Sequence, residues 1–123
     1  MLGGDLIEEI RALCEEQDRL YAQWEERVRI AAEEEAAYQI LMRKHAMLER
    51  EAGVPATLIS QFIRGDEDVA EARRKRDIAE ELKEISQNRI TDIRKRIEIT
   101  NAQAGREWSR RDDSVPVSVD WLE

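Results

Sequence analysis

Two long charged segments, residues 5–51 and 66–108, carry apolar residues at the three-and-four spacing of a helix. They flank a short insert that opens with Gly53-Val54-Pro55 and closes with Arg64-Gly65-Asp66. A chain punctuated only there has few ways to bury anything. Two segments of similar length with a short connector pack side by side and head to tail. The expected fold class is therefore all-α: an antiparallel coiled-coil helical hairpin with a short crossing helix, an extended C-terminal tail and an oligomeric assembly.

Local signals set the boundaries. Asp5 followed by Glu8 reads as a capping box opening the first helix. From there the seven-residue count puts Leu6, Ile10, Leu13, Leu20, Trp24, Ala31, Tyr38, Leu41 and Leu48 on one seam, interrupted by Gln17, Arg27, Glu34 and His45. Gly53 supplies a left-handed stop. Pro55 suits the first turn of the next helix, because its missing amide would be unpaired there. Gly65 is expected to stop that helix and Asp66 to cap the third. Val69, Ala72, Ala79, Leu82, Ile85, Ile90, Ile93, Ile97, Thr100, Ala104 and Trp108 are its apolar positions. The domain reading is a hairpin over 1–110, with helices at about 5–52, 55–64 and 66–108, then an arm over 111–123. Ser114-Val115-Pro116-Val117-Ser118-Val119 alternates with period two and contains proline, so the arm reads as extended, with Trp121 and Leu122 as anchors on a neighbouring subunit.

Charged residues make up 39% of the chain and aromatics 5%, a composition of exposed helices and not of a thick core. A two-helix hairpin leaves part of each stripe wet, which predicts a homo-oligomer. The single cysteine, Cys14, leaves no intramolecular disulfide and no cysteine-based zinc site, and its place beside the seam suggests burial. No stretch has the ~20 apolar residues of a membrane span, and Met1-Leu2-Gly3-Gly4-Asp5 lacks a signal-peptide pattern. The expectation is a soluble, cytoplasmic protein with no membrane partner. The net charge of -8 argues against non-specific nucleic-acid binding. The charge is uneven: residues 1–52 hold seven Lys/Arg against thirteen Asp/Glu, and residues 89–111 hold seven against three.

If the chain folds back near residue 59, facing positions sum to roughly 118. Arg43, Lys44 and His45 then lie beside Arg73, Arg74, Lys75 and Arg76, with Arg64 in the insert above them. The helix starts at Pro55 and Asp66 add partial positive charge. Tyr38 offers a stacking face, and Thr57, Ser60 and Gln61 offer neutral polar contacts. Tyr38, Arg43, Lys44, Arg64, Arg73, Arg74 and Arg76 are thus candidate ligand-binding residues for a small anion such as a nucleotide. The competing account is a solvated face whose cations pair with Glu71, Asp77, Glu80 and Glu49. Arg94-Lys95-Arg96 with Arg106, Arg110 and Arg111 reads as ion pairing to Glu8, Glu9, Glu15, Glu16 and Asp18.

Glu33-Glu34-Glu35 lacks the Glu-x-x-His pairs of a di-metal bundle, so no metal and no cofactor is expected. No phosphate-binding glycine loop and no hydrolase elbow is present. With no catalytic residues to name, the chain reads as non-enzymatic. Arg64-Gly65-Asp66 spells an adhesion tripeptide, but its glycine and aspartate have structural work as helix stop and start.

Pro55-Ala56-Thr57-Leu58-Ile59, Arg64-Gly65-Asp66, Val69-Ala70, Arg76-Asp77-Ile78-Ala79 and Arg106-Glu107-Trp108 resemble small coiled-coil accessory proteins of phages infecting Gram-positive bacteria. The likeness spans residues 5–110. Relatives of that kind often carry Tyr-Arg-x-Ala-Lys in the first helix, where this chain has Tyr38-Gln39-Ile40-Leu41-Met42. The resemblance implies a phage origin and a non-enzymatic accessory or anti-defence role, with no established activity. Three roles follow: sequestration of a nucleotide-type ligand at the basic bend, an acidic decoy for a host defence or DNA-binding protein, and a scaffold or recombination accessory.

Overall fold

The computed structural model describes residues 3–114, and the side-chain surroundings of residues 4–110. Within them the chain forms three helices: α1, Gly3–Glu51; α2, Ala56–Arg64; and α3, Glu67–Ser114. No helix among the described residues is long and apolar enough to cross a membrane. The chain divides into two compact units, one being Ala22–Gln87 and the other joining the chain up to Tyr21 with the chain from Asn88.

Several boundaries differ from expectation. Asp5 lies inside the first turn of α1, where its charge suits the positive end of the helix, and is not the cap. Pro55 is the N-cap of α2, with φ -59 and ψ 140. Its fixed φ and extended ψ set the chain up to turn into the helix. α3 continues to Ser114, so residues 111–114, expected in the extended arm, are helical. The rest of that arm, with Trp121 and Leu122, lies outside the described residues.

The seven-residue count in α1 matches its burial. Leu13 and Ala31 are buried, and Leu6, Ile10, Gln17, Leu20, Trp24, Arg27, Glu34, Tyr38, Leu41 and His45 are each half-buried. Leu48 is exposed. In α3 the covered stripe is Val69, Ala72, Arg76, Ala79, Lys83, Ser86, Ile90, Ile93, Ile97, Thr100 and Ala104. Ile85 and Trp108, expected on it, are exposed, because they fall off the strict seven-residue positions. Arg76, Lys83 and Ser86 occupy those positions instead, the long side chains laying their stems along the seam. Cys14 is also exposed, against its expected burial: it sits one residue past the buried Leu13 and turns out of the seam.

The core is narrow and mixes small side chains with a few large ones. Ala31, Ile63, Val69, Ala79 and Ser86 are buried in Ala22–Gln87. Leu13, Ile90, Ile93, Thr100 and Ala104 are buried in the other unit. There Arg94 donates to the Tyr21 hydroxyl, its guanidinium 5.6 Å from the ring centre. Within Ala22–Gln87, Tyr38 touches Arg76 and His45 touches Asp68, so later residues of α1 meet earlier residues of α3.

Two glycines flank α2 and do different work. Gly53 has φ +85, and the Val54 amide donates to the Glu49 carbonyl while the Gly53 amide donates to that of Arg50. That pair of bonds is a Schellman stop, which needs the left-handed conformation that glycine adopts without strain. Gly65 is right-handed, with φ -79, and a Cβ there would meet the Phe62 and Gln61 carbonyl oxygens at an ordinary 3.5 and 4.0 Å. Glycine is therefore not needed to end α2. Gly53→Ala is expected to lower unfolding free energy by ~1 kcal/mol, whereas Gly65→Ala changes it by less than ~0.5 kcal/mol. Urea denaturation of the two variants checks this; equal costs would contradict it.

Candidate functional site

The bend inside Ala22–Gln87 brings three helix ends together around an open groove of about 480 Å³. α2 is amphipathic: Ile63 is buried and Ile59 half-buried, while Leu58 and Phe62 stay exposed. Met42 and Ala46 of α1, Ile59 and Ile63 of α2, and Val69 of α3 give the groove an apolar floor. Val69 is 1% exposed and holds the start of α3 against that floor. Tyr38, Arg50, Ser60, Arg64 and Arg73 supply the polar part of the lining.

The seven residues expected in one basic cluster part company. Tyr38, Arg64 and Arg73 share the groove. The Arg73 guanidinium reaches the Arg64 carbonyl oxygen at 3.5 Å, a long contact. Arg76 lies over the Tyr38 ring, 4.2 Å from its centre. It also meets Glu35 at 3.6 Å and Asp77 at 3.0 Å, and the Asp77 hydrogen bond holds its proton more firmly than usual. Arg76 thus braces Tyr38 and does not line the groove. Arg74 is bound to Glu71 at 2.6 Å and faces solvent. Arg43 and Lys44 belong to a different surface, the face of α1 with Ile40, Met47 and Leu48. Of the three neutral groups expected near the bend, Ser60 lines the groove and Thr57 and Gln61 do not.

Arg50 is the member the sequence reading missed. The contacts Tyr38–Arg76 and His45–Asp68 give facing sums of 114 and 113, about one helical turn short of the assumed register. Arg50 shares the groove with Arg64 and Arg73. Among the described residues, Arg50, Arg64 and Arg73 have no carboxylate partner, whereas Arg74, Arg76 and Lys83 each have one.

Beside the groove, His45 stands between two aspartates at the start of α3. Its Nε2 donates to Asp68 Oδ2 at 2.7 Å. Its Nδ1 lies 2.9 Å from Asp66 Oδ2, close enough for an ion pair. The alignment there is not that of a hydrogen bond, and Asp66 Oδ2 is buried without one. The Asp66 carbonyl accepts from the Ala70 amide at 2.9 Å, so its backbone opens α3 as expected while its carboxylate turns to α1. The donor atoms of His45, Asp66 and Asp68 lie within 4.8 Å of one another, close enough to attract a metal ion. Both ring nitrogens already face carboxylates, however, and a metal can take only one of them. The arrangement serves first as a polar clamp between α1 and α3.

The His45 hydrogen bond is the main cause holding the Asp68 carboxyl below its usual range, helped by the Val69 amide. A carboxylate depressed in the folded state adds stability above its unfolded pKa of about 3.9. That stability is lost as pH falls through the lower folded value. Asp68→Asn is therefore expected to lower Tm at pH 6 and to flatten its decline below about pH 4. Thermal melts from pH 6 to pH 3 read this; parallel curves for both proteins would contradict it.

No family model, curated protein or solved structure matches the chain.

Proposed function

We propose that the protein is a non-enzymatic binding protein that holds a small nucleotide-type anion in the groove at the bend. The observation that carries this reading is the separation of the cations into two kinds. Arg74, Arg76 and Lys83 are paired with nearby carboxylates and the unpaired Arg43 and Lys44 lie on another face, while Arg50, Arg64 and Arg73, without a carboxylate partner, share an apolar floor. Guanidinium groups match phosphate oxygens two at a time. The floor of Met42, Ile59 and Ile63 suits the flat apolar part of a base, and Tyr38 supplies a ring beside it. A volume of about 480 Å³ falls in the range of small-ligand sites. Binding without turnover requires no nucleophile or base.

The decoy reading, in which acidic α1 occupies a basic host surface, has less support. Arg29 bonds Glu26 and Glu33, and Glu35 contacts Gln39 and Arg76, so much of the acidic stretch is neutralised within the chain. The narrow core supports the remaining architecture: an antiparallel coiled-coil hairpin that associates with further copies to cover its apolar faces. An accessory role of the phage type, anti-defence or scaffolding, accords with such a chain.

The test is calorimetry and thermal shift against nucleoside monophosphates, cyclic mono- and dinucleotides and ADP-ribose. A true ligand at ~100 times its Kd stabilises by ~2.7 kcal/mol and raises Tm by several degrees. Arg73→Glu and Arg64→Glu are each expected to weaken it by more than ~10-fold, since each replaces an attraction with a repulsion. Arg74→Glu, on a neutralised cation away from the groove, leaves affinity within ~2-fold. No response across the panel, or equal losses for all three variants, removes the reading.

A further inference from the structure

The face of α1 nearest the bend carries a large apolar stripe that the chain leaves open: Ile40 is 70% exposed, Met47 56% and Leu48 51%. Lys44 and Glu51 edge it, and neither has an ion-pair partner among the described residues. Seven residues separate Lys44 from Glu51, two full turns, so both lie on one face of the helix with Met47 and Leu48 midway between them.

That spacing is self-complementary. We propose that this stripe is a two-fold interface with a second copy of the chain, resting on the reading that the protein self-associates. A second α1 laid antiparallel across it, with the axis between Met47 and Leu48, sets Lys44 of each copy against Glu51 of the other. Met47 then packs on Leu48 of the facing helix. In a parallel pairing at the same level lysine would meet lysine and glutamate would meet glutamate, so the charges select the antiparallel arrangement. A two-fold contact also uses each patch twice, which suits a stripe of only a few apolar side chains. The groove uses neither Lys44 nor Glu51, so ligand binding and this contact succeed or fail separately.

The experiment uses the full chain with Cys14→Ser, so that no native thiol interferes. Met47→Cys in that background sits next to the axis and is expected to form a disulfide-linked dimer in mild oxidant. Glu25→Cys, exposed and about 33 Å along the helix, stays uncrosslinked. Sedimentation equilibrium of chains without added cysteines supplies the second readout. Lys44→Glu or Glu51→Lys alone is expected to weaken association by ~10-fold, and the double exchange to restore it to within ~3-fold. A monomeric wild-type chain at ~100 μM, well above the dissociation constant of a stable dimer, overturns both this interface and self-association. An oligomer whose Met47→Cys form crosslinks no better than the control, or whose double exchange gives no rescue, overturns the interface alone.

Discussion

The bend depends on one register: how far along α3 each residue of α1 finds its neighbour. Within Ala22–Gln87 that register is fixed by His45 between Asp66 and Asp68 and by Arg76 laid over Tyr38. His45, Tyr38 and Arg76 sit on covered positions of the two stripes, while Asp68 stays exposed, so these contacts are only partly shielded from water. Polar contacts in such places penalise misaligned pairings that would leave them unmatched. Slipping one helix by a turn would strand the imidazole and the stacked guanidinium together. The same slip would move Arg50 of α1 away from Arg73 of α3, both of which line the groove.

Much of the fold was readable before any coordinates. The α1 seam, with its interruptions at Gln17, Arg27, Glu34 and His45, is the half-buried stripe that is observed. Gly53 is the left-handed stop, because a helix followed by Gly-Val-Pro has little else to do. Register was not readable in the same way. A seven-residue pattern states which face is covered and says nothing about the offset between two such faces. The offset comes from the exact path of the turn and from a few polar contacts, and Asp66 shows why those are hard to foresee. Its type predicts a capping side chain, yet the backbone alone serves as cap and the carboxylate is drawn to His45. Tertiary electrostatics overrode the local preference.

The narrowness of the core has a matching consequence. Alanine, serine and threonine on the α3 stripe let helices approach closely but remove little apolar area from water. Larger side chains such as Ile40, Met47, Phe62, Ile78 and Ile99 remain outside. Leu13, Ile63, Ile90 and Ile93 are the bulky side chains that the chain does cover, and much of the remaining bulk is left on the surface. Cys14 follows the same logic: one position beyond a buried leucine is enough to turn it outward.

The sorting of the cations can be traced to neighbours three and four residues away on the same helix. Arg19 has Glu16, Arg29 has Glu26 and Glu33, Arg74 has Glu71, and Lys83 has Glu80; each is paired. Arg50 has Ala46 and Met47 behind it and Gly53 and Val54 ahead, so no acid stands three or four residues away. Arg64 has Ser60 and Gln61 behind it, and α2 ends before the acids at 67 and 68 come round. Arg73 has Val69 and Ala70 behind it, and the one acid ahead, Asp77, is taken by the adjacent Arg76. Exposed local pairs are weak, at ~0.3–0.5 kcal/mol each, yet they suffice to orient a side chain. A run of like charges therefore separates into cations that are occupied and cations that are available. Unpaired cations also lie inside the helices, Lys44 and Arg89 among them, but Arg50, Arg64 and Arg73 share one groove where helix ends meet.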